Sequence, residues 1–106
     1  MPKKSMDLLT ESMFYVLMAL SGGVKCGVDI VEFIDNITQD RLQIGPATLY
    51  TILAKFEKER YIQEILVEGR KRTYQITAKG TSAYRNELNR LKQCILDAEK
   101  GGYHNG

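Results

Sequence analysis

Cysteine and histidine are scarce, two of one and one of the other in 106 residues. Cys26 and Cys94 lie far apart, with no C-x-x-C spacing and no histidine near either, so a zinc site is excluded. Buried, inert free thiols in a reducing cytoplasm are the simple reading; an oxidation sensor at Cys26 or Cys94 is the alternative. His104 stands in Gly101-Gly102-Tyr103-His104-Asn105-Gly106, a glycine-rich tail expected to fray. No phosphate-binding glycine loop and no nucleophile with a base beside it can be placed. No catalytic residue, metal or cofactor is therefore assigned, and no enzyme is expected. No apolar run approaches the ~18–20 residues of a membrane span, and residues 13–20 are too short and carry no cleavage-site pattern. A cytoplasmic protein without a membrane partner is expected.

Net charge is also small, at +2, so the distribution matters more than the sum. Residues 1–39 hold 3 Lys/Arg against 5 Asp/Glu, residues 40–80 hold 8 against 5, and residues 81–106 hold 4 against 3. The positive excess falls in the middle third, where a surface facing an anionic partner would gain from it. An apolar content of 43% is ordinary for a globular chain, and the length suits one domain with a single modest core.

The periodicity alternates helices with one short hairpin. Residues 1–9 open on the basic Pro2-Lys3-Lys4 and are expected to be mobile at first. Thr10 can cap a first helix that carries Met13, Phe14, Val16, Leu17 and Leu20 at helical spacing and ends at Gly22-Gly23. A second helix, from Cys26 or Gly27 to about Asn36, places Ile30, Phe33, Ile34 and Ile37 on its buried stripe. Its outer face is acidic through Asp29, Glu32 and Asp35, which suits support of the fold better than contact with phosphates. A third helix of about 15 residues opens at Gly45-Pro46, where the missing proline amide costs nothing. Leu49, Ile52, Leu53 and Phe56 face inward. Ala47, Thr48, Tyr50, Thr51, Ala54, Lys55 and Lys58 face out.

The hairpin beyond this helix gives that outer face its meaning. Two strands flank a basic tip, Glu68-Gly69-Arg70-Lys71-Arg72, with Gly69 supplying the turn and Tyr74 and Ile76 the inward pair of the return strand. A helix followed at once by a cationic ribbon is the order of a winged helix. The helix fits the roughly 12 Å major groove and the ribbon reaches the neighbouring phosphates. Small and hydroxyl-bearing groups at the helix start let Ala47 and Thr48 approach base edges, while Tyr50, Thr51 and Lys55 can bond bases or backbone. Arg70, Lys71 and Arg72 would grip phosphates near the minor groove, and Tyr15 is a weaker candidate for a backbone contact. Taken singly, each of these is an ordinary solvated residue, and Tyr15 equally suits core-edge packing. The combination carries the reading.

Thr77 caps a last helix over residues 78–100, about 23 residues and so about 35 Å long, longer than so small a core requires. Tyr84, Leu88, Leu91, Ile95 and Ala98 recur at spacings of 4 and 3, a heptad seam expected at a dimer interface. Packing of that seam on the first helix of the same chain is the alternative. The expected class is α+β, mainly helical with a small hairpin: a winged helix-turn-helix over residues 1–77 and a dimerisation helix with a tail over residues 78–106. Two identical reading heads would match a palindromic operator.

At these residues the chain resembles the PadR family of bacterial transcriptional regulators, over about residues 8–99. Leu9-Thr10-Glu11-Ser12-Met13-Phe14-Tyr15-Val16-Leu17 looks like the family's first helix, and Gly45-Pro46-Ala47-Thr48-Leu49-Tyr50 is similar to its recognition-helix signature. Leu53-Ala54-Lys55-Phe56-Glu57-Lys58-Glu59 continues that match, and the run from Gly69 through Thr77 to Gly80 looks like its wing and the entry to its last helix. The lone final helix is similar to the compact branch, which has no separate effector domain. The resemblance implies a homodimer held by the first and last helices. It also implies repression of a nearby operon and a response to a small lipophilic or aromatic effector, an antibiotic or cell-envelope stress. Three departures stand out. Cys26-Gly27 replaces a frequent His-Gly, Thr73 stands where an aromatic is common, and tryptophan is absent, so a ligand site built on indole stacking does not carry over. The competing reading is a winged-helix protein-interaction module without DNA contact, which requires an apolar outer face on the third helix and a neutral wing.

Overall fold

The computed structural model describes residues 9–102; the basic opening Pro2-Lys3-Lys4 and the last part of the tail, His104 included, lie outside it. The elements run α1 (Glu11–Ser21), β1 (Lys25–Cys26), α2 (Gly27–Thr38), α3 (Pro46–Lys58), β2 (Ile62–Glu68), β3 (Lys71–Ile76) and α4 (Ala78–Asp97). A π-helical turn, Ala98–Gly102, continues α4. The strands form one antiparallel sheet in the order β1-β3-β2. This is a winged helix-turn-helix with a long final helix.

The helix starts follow from local chemistry. Thr10 Oγ1 accepts the Met13 amide at 3.2 Å, and Thr77 Oγ1 accepts the Gly80 amide at 3.1 Å, each satisfying a first-turn donor that has no partner in its helix. Gly45 caps α3 with Pro46 at its first position, as the sequence suggests. Between α2 and α3 the chain turns through Gln39 and Asp40, both at positive φ, and the Asp40 amide returns to the Asp35 carbonyl at 2.9 Å.

One core joins the three-helix head to the sheet. Val16, Leu17, Leu20, Ile30, Ile34, Leu53 and Phe56 are the large side chains sealed within it, with Ile62 and Tyr74 buried from the sheet. Each such burial stabilises the fold by about 1.5–3 kcal/mol, whereas an ion pair as open to solvent as Arg41–Glu11 is screened by water and salt. Packing therefore decides this fold, and surface charge is left for other uses.

The structure departs from the sequence reading in five places. Ile37, expected on the buried stripe of α2, is 53% exposed, because the last turn of the helix runs past the core. Lys25 and Cys26 form a third strand, paired with Tyr74 and Thr73, where only a hairpin was expected. The five-residue basic tip is a two-residue turn, Gly69-Arg70, with Gly69 at φ 64°; Glu68, Lys71 and Arg72 belong to the ladder. Gly101 and Gly102 lie in the π turn rather than in a frayed tail. Finally, the reading of buried thiols holds for Cys26 alone, since Cys94 is exposed.

Candidate nucleic-acid interface

The outward face of α3 is set by how the helix packs. Burying Leu49, Ile52, Leu53 and Phe56 turns Ala47, Thr48, Tyr50, Thr51, Ala54 and Lys55 outward, all of them exposed. Tyr50 has 56% of its surface free, and its hydroxyl lies beside Gly27 at the start of α2. Thr51 is less available than its exposure suggests, because its hydroxyl donates to the Ala47 carbonyl at 2.9 Å within its own helix.

A cleft of about 420 Å³ lies between α2, α3 and the wing, and Tyr50 lines it together with Arg70, Lys71, Arg72 and Tyr74. The start of α2 closes it through Cys26, Gly27, Val28 and Asp29. The Asp29 carboxylate accepts from the Cys26 amide at 3.4 Å and from its thiol at 3.3 Å, which fixes that corner. At the floor, burial pushes the Tyr74 phenol above its ordinary titration range. The charges of Glu57 and Glu64 push the same way, and Arg72 opposes them. Tyr74 is thus a buried, neutral phenol on the same sheet face as Arg72.

The structure thus brings Tyr50 of α3 together with the three wing cations, while Ala47, Thr48, Thr51 and Lys55 share the helix face beside them. Tyr15 stands apart on α1, where its hydroxyl accepts from Arg41 Nη2 at 3.2 Å. Arg41 also pairs with Glu11 at 2.9 Å and lies over the Tyr15 ring, its guanidinium carbon 5.9 Å from the centroid. Arg41 is the lone cation of the loop that leads into α3, the one feature of the sequence that marks it. Of the expected seam on α4, Tyr84 stacks on Phe14 of α1 with centroids 5.2 Å apart, and Leu88 and Leu91 are half-buried. Ile95 and Ala98 are exposed. Among the described residues no helix is long and apolar enough to cross a membrane.

A family model described as "Transcriptional regulator PadR-like family" matches residues 16–86, from the middle of α1 to the first half of α4. The chain belongs to the PadR-like family of transcriptional regulators. The resemblance read from the recognition-helix and wing motifs is therefore shown. A transcriptional regulator from Clostridium thermocellum is 27% identical to this PadR-like protein, with a TM-score of 0.75 over 86% of this chain and 92% of that one. An uncharacterized protein of Lysinibacillus sphaericus is 36% identical over 68 residues, which span 60% of this chain and 62% of that relative. The Bacillus subtilis PadR in complex with operator DNA has a TM-score of 0.66 at 20% identity, over 74% of this chain and 48% of that one. This last likeness is one of fold.

Proposed function

We propose that this PadR-like regulator is a dimeric, sequence-specific DNA-binding protein that represses a nearby operon. One observation carries the reading: the exposed α3 residue Tyr50 and the cations Arg70, Lys71 and Arg72 line the same cleft. A helix lying in the major groove beside that cleft has phosphates within reach of the wing. In this reading Ala47, Thr48, Tyr50, Thr51 and Lys55 meet base edges and flanking backbone, and Tyr15 meets a phosphate together with Arg41. Operator DNA on a PadR of the same fold supports it. A protein-interaction module needs an apolar outer face on α3, whereas that face carries Thr48, Tyr50, Thr51, Lys55 and Lys58.

The reading divides the chain into a DNA-reading unit over residues 1–77 and a clamping helix over residues 78–106, with the seam of α4 joining two copies. A groove of about 360 Å³ between α1 and α4 has walls from Leu9, Phe14, Tyr15 and Leu91 and an ionic end from Glu87 and Arg90. It suits a small lipophilic or aromatic effector that relieves repression. The test is selection of bound fragments from random duplex DNA, followed by gel retardation at low ionic strength. An enriched inverted repeat with half-sites about one helical turn apart is expected. Absence of retardation of any duplex would overturn the reading.

A further inference from the structure

The sheet register sends the three wing cations in different directions. Arg70 occupies the turn, while Lys71 and Arg72 are neighbours in β3 and so point to opposite faces of the sheet. Arg72 shares its face with Tyr74, and Tyr74 pairs across the ladder with Glu64. Glu64 and Arg72 are therefore diagonal neighbours on the inner face of the wing, within reach of long side chains. Arg72 Nη1 lies 3.5 Å from Glu64 Oε2. That oxygen is buried and has no hydrogen-bond partner, so the guanidinium is the group that compensates its charge. A bulge between Glu64 and Leu66 leaves Ile65 without a partner across the ladder, and it marks where the regular register ends. Among the described residues neither Arg70 nor Lys71 has an ion pair.

We propose that Glu64 acts as a charge brake on the wing, holding Arg72 against the inner face so that two cations rather than three grip phosphates. Glu64 is a positioning residue in this account, since it acts through Arg72. Drawing Arg72 out toward a phosphate strands a buried carboxylate oxygen, and that penalty opposes its release. The brake limits sequence-independent affinity, so a larger share of binding comes from the base-reading face of α3. The inference rests on the DNA-binding reading above.

The test is titration of a fluorescently labelled random-sequence duplex, followed by anisotropy between 50 and 200 mM salt. Wild type is compared with Glu64→Gln and with Glu64→Gln/Arg72→Gln. Freeing Arg72 engages one more phosphate, so Glu64→Gln should steepen the slope of log affinity against log salt by about 0.9. Over that salt range the loss of affinity then grows by about 3.5-fold. The double variant, which replaces a neutral pair by two neutral side chains, should keep the wild-type slope. A wild-type slope in Glu64→Gln overturns the brake. So does a double variant whose slope is shallower by about 0.9, because Arg72 would then already grip DNA in the wild type. If Glu64→Gln fails to fold, the double variant decides alone. A wild type that binds no duplex fails the DNA reading itself, a result distinct from unaltered slopes in proteins that bind.

Discussion

Gly80, in the first turn of α4, lies so close to the backbone carbonyl of Tyr61 that a Cβ there has no room. The contact is one of several that fasten α4 to the corner where α3 gives way to β2. The Thr77 amide donates to the Tyr61 carbonyl at 2.9 Å, and the Thr77 hydroxyl donates to the Arg60 carbonyl at 2.7 Å. The direction of the final helix is therefore set by the base of the wing.

Gly80→Ala should destabilise the fold although alanine is the better helix former by about 1 kcal/mol. The added methyl meets the Tyr61 backbone and lies 2.9 Å from Ile76 Cγ1, and overpacking of this kind costs about 1–3 kcal/mol. Urea unfolding gives the comparison. An unchanged or raised midpoint would mean that α4 pivots freely at this joint.

Arg70→Ala with Lys71→Ala should weaken binding to every duplex and flatten the salt slope by about 0.9 for each phosphate the wing no longer holds. Thr48→Ala should behave differently: it should reduce discrimination at one operator position by about 0.5–1.5 kcal/mol, the worth of one hydroxyl hydrogen bond, and leave the salt slope near wild type. Anisotropy titrations on operator and random duplexes separate the two signatures. If the wing pair altered sequence preference and Thr48 altered the salt slope, the two roles would be reversed.

Most of the head was legible because local chemistry specified it. Thr10 and Thr77 mark helix starts by their own capping hydroxyls and Pro46 by its place at a first position that needs no amide partner, and the inward residues of α1 and α3 follow from helical spacing. What escaped depends on neighbours distant in sequence. The pairing of Lys25 with Tyr74 leaves no alternation in a two-residue strand, so nothing local announces β1. The bulge at Ile65 and the two-residue turn decide which wing cation faces which way, and a run of three basic residues carries no such information. Ile37 has the spacing of a buried residue, but whether a core extends to the last turn of α2 depends on its neighbours.

Acid should loosen the α1–α4 groove through Glu87. This carboxylate is buried at 7% exposure, and Arg90 holds it with Nε at 2.9 Å from Oε1 and Nη2 at 2.6 Å from Oε2. Hydrogen bonding from Arg90 brings its pKa below the ordinary 4.5; burial opposes this, and the arginine charge adds to it. A carboxylate depressed in the folded state stabilises the fold above the ordinary value, and that contribution fades as pH falls through the lowered one. Glu87→Gln should therefore lose less stability than wild type as pH falls from neutral to well below 4.5, through the lowered value. Urea midpoints across that range measure it. Parallel curves would show that the pair has no pH-linked role.

On the seam of α4, two exposed residues beside each other should differ in consequence. The helix has 20 residues and is about 30 Å long, and the radius of gyration of 15.5 Å exceeds the ~13 Å of a compact chain of 100 residues. Its far end therefore projects from the head. Ile95 is 58% exposed and Leu96 53%, so exposure does not distinguish them. Heptad spacing does: Ile95 continues the row through Leu88 and Leu91, whereas Leu96 lies about 100° round the helix. Ile95→Asp should give a monomer in sedimentation and a large loss of operator affinity, since each half-site is then held by a single head. Leu96→Asp should remain a dimer with operator affinity near wild type. If Leu96→Asp dissociates the protein and Ile95→Asp does not, two copies meet through another face of α4, and the seam from Tyr84 to Ala98 serves packing within the chain.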